Sequence, residues 1–324
     1  MRLMHTINPA AERVLKDIHA DIWNLCNNHI MDAGQDGLAM TLQEAEKFGA
    51  KTIGVGMNMT DAAKPLILDE AGGIGIFAVG YQRGCKPAGE DKGGCLSWSE
   101  MEVIRSVIQE IKAKCRWCVV VAHGGEEFTA ITSPYTRERY HAYLEMGADL
   151  VVCHHPHVPM NYETVGDKMI FYSLGNFIFD TDYQRAQFNT EKVILLKLHF
   201  TETKYSFEAL GLKINRENEH IETAPLPKIF ADIQEDDYNK LEPLAAKMFL
   251  AATKRQQLFL YPDKFKNATE AQWKDHFYEE KRSGRVPGEA LDFQIIYPIA
   301  QEEAKGVWKE CKLEAVKAYI LEQM

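Results

Sequence analysis

Trp117-Cys118-Val119-Val120-Val121-Ala122-His123-Gly124-Gly125-Glu126-Glu127 is the stretch on which the reading of this chain turns. From Trp117 to Ala122 the run is apolar without a break, the pattern of a strand covered on both faces. It stops at a histidine, two glycines and two glutamates, so side chains able to bind a ligand stand where a strand ends. Before it, Ser97-x-x-Glu100 predicts a capping box opening a helix that runs to about Lys114; after it, Ser133 to Met146 predicts a helix stopped at Gly147. Farther out, Ile22 to Cys26, Thr52 to Val55, Ile74 to Gly80 and Leu150 to Cys153 read as strands and Gln35 to Phe48 as a helix. Ile170 to Ser173, Lys192 to Phe200 and Tyr205 to Ile214 read as β structure with no helices between them. Such alternation predicts an α/β layered domain with a more purely β second half.

With 324 residues, 46% of them hydrophobic, the chain buries a substantial core, which excludes a disordered tail and a disulfide-stapled miniprotein. Its 47 acidic against 37 basic residues leave a net charge of -10, a surface that repels a phosphate backbone, so nucleic acid is not an expected partner. No apolar run approaches the roughly 18 residues of a membrane span, and no signal peptide is expected. The cysteines, Cys26, Cys85, Cys95, Cys115, Cys118, Cys153 and Cys311, are odd in number and scattered, the usage of a reducing compartment; a cytoplasmic protein is expected. Cys115-x-x-Cys118 has no second pair at zinc-site spacing and reads as two small apolar residues leading into a buried strand. Past about residue 216, Pro225 and Pro227 mark a linker, and polar helices are expected at Glu235 to Gln257, Glu270 to Lys281 and Ala300 to Glu322. The expected organisation is therefore a domain of residues 1–215 and a C-terminal helical region of 216–324. The amphipathic pattern of those helices fits a cover over a cleft, a homo-oligomer interface or a partner-binding face alike.

Four polar clusters follow apolar strands, where open α/β sheets place their ligand crevices: Asn27-Asn28-His29 with Asp32, His123 to Glu127, His154-His155-Pro156-His157, and Ser173 to Phe177. Any one is accounted for by a hydrogen-bonded turn, but five of the eleven histidines at three strand ends point to a metal or catalytic site. Pro156 is expected to push His155 into an extended conformation, so that both flanking imidazoles project from one rigid turn. Neutral imidazole suits zinc, manganese or iron. Gly124 and Gly125 are expected to let backbone approach whatever His123 holds, Asn28 offers an amide oxygen to a hard cation, and His29 is placed to shuttle a proton.

Asn27-Asn28-His29-x-x-Asp32-x-Gly34, His123-Gly124-Gly125-Glu126-Glu127-Phe128 with Pro134, Gly147 to Val152 running into His154-His155-Pro156-His157, and Tyr172-Ser173-Leu174-Gly175-Asn176-Phe177 together closely resemble the CapA family of capsule synthesis proteins. That family is associated with poly-γ-glutamate biosynthesis and is built on a calcineurin-like metallophosphoesterase fold, a layered β-sandwich flanked by helices. The resemblance runs in order from about residue 10 to about residue 200. It implies that Asn28, His123 and His155 ligate one divalent metal (Mn, Zn or Fe) and His157 a second. It makes His29 the proton donor to a leaving group, Asp32 the residue orienting the Asn28-His29 turn, and Glu127 the match to an acidic family position. Ser173 and Asn176 belong to a loop lining the site. Family members also carry a Gly-Asp motif on a first strand and an Asn-x-Glu motif, both sources of acidic ligands, and this chain reaches Asn27 before either. Two dications about 4 Å apart repel by roughly 17 kcal/mol at an effective dielectric near 20, and a bridging anion must offset that. The expectation is either that Met1 lies inside a longer reading frame or that the site holds one metal or none. The function expected is a metal-dependent hydrolase, phosphoesterase-like, that brings metal-activated water to a small or polymeric anionic substrate. A capsule or poly-γ-glutamate biosynthesis factor, transferase or ligase-associated, and a non-catalytic binding module with a degenerate metal site are the alternatives.

Overall fold

Burial explains why Trp117 to His123 is a strand: Trp117, Cys118, Val119, Val120 and Ala122 are all buried, and β-branched valines suit a pleated surface packed on both faces. The computed structural model describes residues 11–242 apart from 82, 83, 130, 186 and 188, together with 269, 271 and 272. They form two compact units. The first takes the described residues up to Gly124 with Tyr143–Val152 and Phe200–Tyr205; the second takes Gly125–Ala142, Cys153–His199 and the described residues from Ser206 onward.

The first unit contains α1 (Ala11–Asp17), β1 (Ile22–Asn24), α2 (Gly34–Phe48), β2 (Lys51–Ile53), β3 (Val55–Gly56), α3 (Met59–Ala63), β4 (Leu66–Leu68), β5 (Ile74–Gly80), β6 (Gly94–Cys95), α4 (Met101–Lys114) and β7 (Trp117–His123). β1 pairs with β2 in parallel and β3 with β6 antiparallel. In the main sheet β4 lies antiparallel to β5, and β5 lies parallel to β7 in a register that sets Gly80 beside His123. On α4, Ile104, Val107, Ile108 and Ile111 form a buried stripe at i, i+3, i+4 and i+7. Each such side chain contributes about 1.5–3 kcal/mol on burial. Gly75 of β5 admits this stripe: a Cβ there would stand 2.3 Å from Ile111 Cγ2. The predicted capping box does not form. α4 starts at Met101, and the backbone of Leu96 and Trp98 is bonded to Gly80 at the end of β5, which takes Ser97 out of the helix; its hydroxyl meets Ser99 Oγ at 2.7 Å instead.

α5 (Pro134–Met146) and β8 (Leu150–His154) each have residues in both units. α5 ends, as expected, at Gly147, where φ is +119°. Asp149 then accepts hydrogen bonds from Cys118 N–H (2.7 Å) and Lys112 Nζ (2.8 Å), fixing the turn before β8 to β7 and α4.

In the second unit β9 (Tyr162–Val165) and β10 (Lys168–Phe171) form an antiparallel hairpin, and β10 also neighbours β8. α6 (Asp182–Arg185) follows, then a three-stranded sheet of β11 (Lys192–Phe200), β12 (Tyr205–Asn215) and β13 (His220–Thr223). Tyr162, Phe171, Phe207 and Phe230 pack with ring centroids 5.1 to 6.4 Å apart. Beside them Glu163 is a buried carboxylate, which can be stable only if its charge is answered. Arg137 answers it with a two-pronged pair (Nε–Oε2 3.0 Å, Nη2–Oε1 2.5 Å), and His141 Nε2 and the Tyr172 hydroxyl lie 3.1 and 2.5 Å from Oε2. Arg137 also binds Glu235 and lies over the Tyr238 ring at 4.3 Å.

The architecture is mixed α/β, sheets flanked by helices, as the sequence led one to expect. Residues 235–242 are helical; the remainder of that expected helix, most of Glu270 to Lys281 and all of Ala300 to Glu322 lie outside the described residues. Among the described residues no helix is long and apolar enough to cross a membrane.

Candidate metal centre

In the second unit, β8 ends at His154, whose pKa burial pushes down to about 4, keeping the ring neutral. The chain then turns through His155-Pro156-His157 with φ of +110° at His155 and +64° at His157, and Phe128 opposite is at +60°. Left-handed backbone at residues bearing a Cβ costs about 1–3 kcal/mol each and persists only where surroundings impose it. His155 is therefore not extended, contrary to the expectation from Pro156. Two contacts impose the turn: Phe128 N–H donates to Pro156 O at 2.8 Å, and the Phe128 ring stacks on His157 with centroids 5.5 Å apart. The strained turn brings the two imidazoles to 5.8 Å between centroids.

Glu127 completes the group. Its Oε1 lies 3.9 Å from His155 Nε2, and ligand atoms of Glu127, His155 and His157 all fall within 4.8 Å of one another. Two imidazoles and a carboxylate are a donor set suited to Zn, Mn or Fe. The state of His157 follows from its neighbours. Asn176 Nδ2 donates to Gln184 Oε1 (3.1 Å) and to the Thr190 carbonyl (3.2 Å), which orients the amide, so its Oδ1 faces His157 Nδ1 at 2.8 Å. An amide oxygen only accepts, so Nδ1 carries the proton and Nε2 presents its lone pair for a metal. Asn176→Ala removes that constraint. A 10- to 100-fold loss of divalent-metal affinity is expected, about the cost of deleting an outer partner of a ligating histidine, and a zinc or manganese titration with unchanged affinity would refute the role. Ser173 is buried in the same loop, its hydroxyl accepting from Gly175 N–H at 3.3 Å.

In the first unit, His123 ends β7 with Nε2 3.1 Å from Asn28 Oδ1, a spacing that suits a hydrogen bond and equally two ligands of one cation. Asn27 Oδ1 accepts from His29 N–H at 2.8 Å, shaping the turn, and Asp32 Oδ2 lies 2.9 Å from His29 Nδ1. The carboxylate, an acceptor only, favours the tautomer of His29 that carries its proton on Nδ1. Gly124 has a different reason from the one expected of it. A Cβ there would meet the Trp98 ring at 2.4 Å, so the glycine admits an indole and not a ligand.

Two features escaped the sequence reading. Glu126 is no ligand: it accepts from Ser133 Oγ (2.9 Å) and Thr136 Oγ1 (3.1 Å) where α5 begins, and burial raises its pKa. Its signal was the Ser133 helix start. The other is a group of thiols, Cys26, Cys85 and Cys95, with sulfurs within 4.8 Å of one another. Their separations in sequence, 59 and 10 residues, match no metal-site spacing.

The model of the bacterial capsule synthesis protein family PGA_cap matches residues 2–181. The chain belongs to that family. PGA_cap proteins are metallophosphoesterase-like, which implies a divalent metal, and the histidine-carboxylate group is a place where one fits. Among family relatives, the PGA biosynthesis protein CapA of Bacillus subtilis is 33% identical over 184 residues, covering 56% of this chain and 48% of that protein. The capsule biosynthesis protein CapA of Bacillus anthracis is 28% identical over 181 residues, 54% of this chain and 44% of that one. A probable polyglutamine synthesis accessory protein of Mycobacterium tuberculosis is 25% identical over 198 residues, 55% and 49% respectively. The chain thus spans about half the length of these relatives.

Proposed function

We propose that this chain is a divalent-metal-dependent hydrolase acting on an anionic substrate in poly-γ-glutamate capsule synthesis. The observation that carries the proposal is the Glu127-His155-His157 group, with His157 held by Asn176 in the tautomer that presents a lone pair. The strained turn supports it, because left-handed φ at His155 and His157 costs stability and persists where surroundings hold side chains in one arrangement. Glu127, His155 and His157 would hold the ion. A divalent cation bound there supplies Lewis acidity toward water and toward a phosphoryl or carbonyl oxygen. Through the family resemblance, Asn28 and His123 of the first unit are metal-binding residues, and His29, steadied by Asp32, is the proton donor to a departing group. On a chain of net charge -10, bound cations are the natural means of holding an anion.

The relatives' names favour a second reading, a capsule-biosynthesis factor that handles the polymer without hydrolysing it. The two separate in one experiment. Purified protein loaded with Mn or Zn is assayed on a panel of phosphoesters and on poly-γ-glutamate, with and without chelator. Metal-dependent turnover abolished by chelation, and reduced by His29→Ala without loss of bound metal, is expected. One equivalent of tightly bound metal with no turnover of any substrate would overturn the hydrolase reading in favour of the binding one.

A further inference from the structure

The three thiols of the first unit have no part in the chemistry above. Cys26 follows β1 and directly precedes Asn27-Asn28-His29, Cys85 lies in the loop after β5, and Cys95 ends β6. All three are reduced and fully buried, among Leu38, Ile53, Val55 and Ala78. Three buried cysteines in an apolar core are usually small apolar side chains and no more. Here two observations go further. The sulfurs converge to within 4.8 Å of one another, and three sulfurs bound at about 2.3 Å to one ion stand about 4 Å apart. Room is also kept for them. A Cβ on Gly80 would lie 2.6 Å from Cys85 Sγ and 2.8 Å from Cys26 Sγ, and one on Gly54 would lie 2.6 Å from Cys26 Cβ. Gly80 is the last residue of β5, and a glycine in a strand marks a close approach.

We infer that Cys26, Cys85 and Cys95 form a second metal site, one that binds a single thiophilic d10 cation through three sulfurs. No fourth His, Cys, Asp or Glu joins the group among the described residues. A three-coordinate sulfur site suits cuprous copper, whereas zinc takes four ligands and would have to add an oxygen, such as the carbonyls of Asn27 and His123, 3.8 Å from Cys95 Sγ and 3.9 Å from Cys85 Sγ. Binding releases the thiol protons to solvent and leaves sulfur–metal bonds, with no change of oxidation state. The ion would tie together the turn bearing Asn28 and His29, the loop after β5 and β6. The site uses none of the histidines, so it stands or falls apart from the hydrolase reading.

The test uses the full chain, reduced and handled without oxygen. Cadmium is titrated first, because its sulfur-to-metal charge-transfer band in the ultraviolet is given by thiolates and not by imidazoles or carboxylates. Cuprous ion delivered from a bicinchoninate complex, and zinc in a parallel titration, then separate the two candidate ions. One equivalent of cadmium with the thiolate band is expected in the wild type and in Cys115→Ala/Cys118→Ala. The band should be lost, and affinity reduced at least 100-fold, in Cys26→Ala, Cys85→Ala and Cys95→Ala. Loading should raise the wild-type melting temperature and chelation should return it, a reading that stands even where a variant fails to fold. Absence of the band in the wild type, or its survival in all three single variants, would overturn the site and leave the thiols as packing.

Discussion

His155→Ala should cost the protein tight divalent-metal binding and, with it, any metal-dependent turnover. Deleting an outer partner of a ligating histidine costs 10- to 100-fold, so deleting one of three ligands should cost at least about 100-fold. His199→Ala, on β11 of the same unit, provides the control and should leave the affinity unchanged. Backbone strain adds a second reading of the same position. At a φ of +110° alanine keeps the penalty that histidine bears, and glycine does not. His155→Gly should therefore bind no metal yet be about 1 kcal/mol more stable than His155→Ala. Elemental analysis and thermal unfolding of the pair measure both effects. Retention of a full equivalent by His155→Ala would remove the residue from the metal centre, and equal stabilities would remove the strain.

Arg137→Ala should produce the largest loss of stability in the second unit. It strands Glu163, which is 4% exposed, without its two-pronged partner. Removing one member of a buried ion pair costs about 3–5 kcal/mol because the other charge stays buried. For 150–250 residues that corresponds to roughly 6–20 °C in melting temperature. Acid should show the same group at work. Burial pushes the Glu163 carboxyl up, but hydrogen bonds from His141, Arg137 and Tyr172 outweigh it and hold the pKa at about 2, against an ordinary 4.5. A depressed carboxyl stabilises the fold fully above its unfolded pKa and loses that contribution as pH falls through the folded one. The window is thus from about pH 4.5 down to about 2, and the stake is about 3 kcal/mol. Glu163→Gln should flatten that part of the stability-pH curve. A wild-type curve already flat there would show the carboxyl to be ordinary. Tyr172 links this to the metal centre, since its hydroxyl is held by Glu163 and it opens the Ser173 to Asn176 segment that positions His157.

Periodicity made much of this legible. β5, β7 and β8 are long apolar runs and α4 has an unbroken i, i+3, i+4, i+7 stripe, so burial and local propensity agree. The histidines could be found because they stand directly after such runs. What could not be read depends on three dimensions. Thr52 to Val55 reads as one strand, but Gly54 at φ +82° divides it into β2 and β3. Ser97 carries the cap pattern, yet its backbone neighbours are taken by β5. His155 departs from pre-proline preference because Phe128, distant in sequence, grips the turn. Arg137 and Glu163 are 26 residues apart and Cys26 and Cys85 are 59 apart, separations at which no local rule operates.

The buried cluster around Glu163 also bears on how the chain is made. Arg137 leaves the ribosome before Glu163, and Glu235 emerges 98 residues after Arg137. At about 5–20 residues per second, the guanidinium meets its first carboxylate within about 1–5 s and its second only after about 5–20 s. The nascent polypeptide can therefore neutralise the charge it must bury from nearby sequence, well before the exposed carboxylate of Glu235 has been translated.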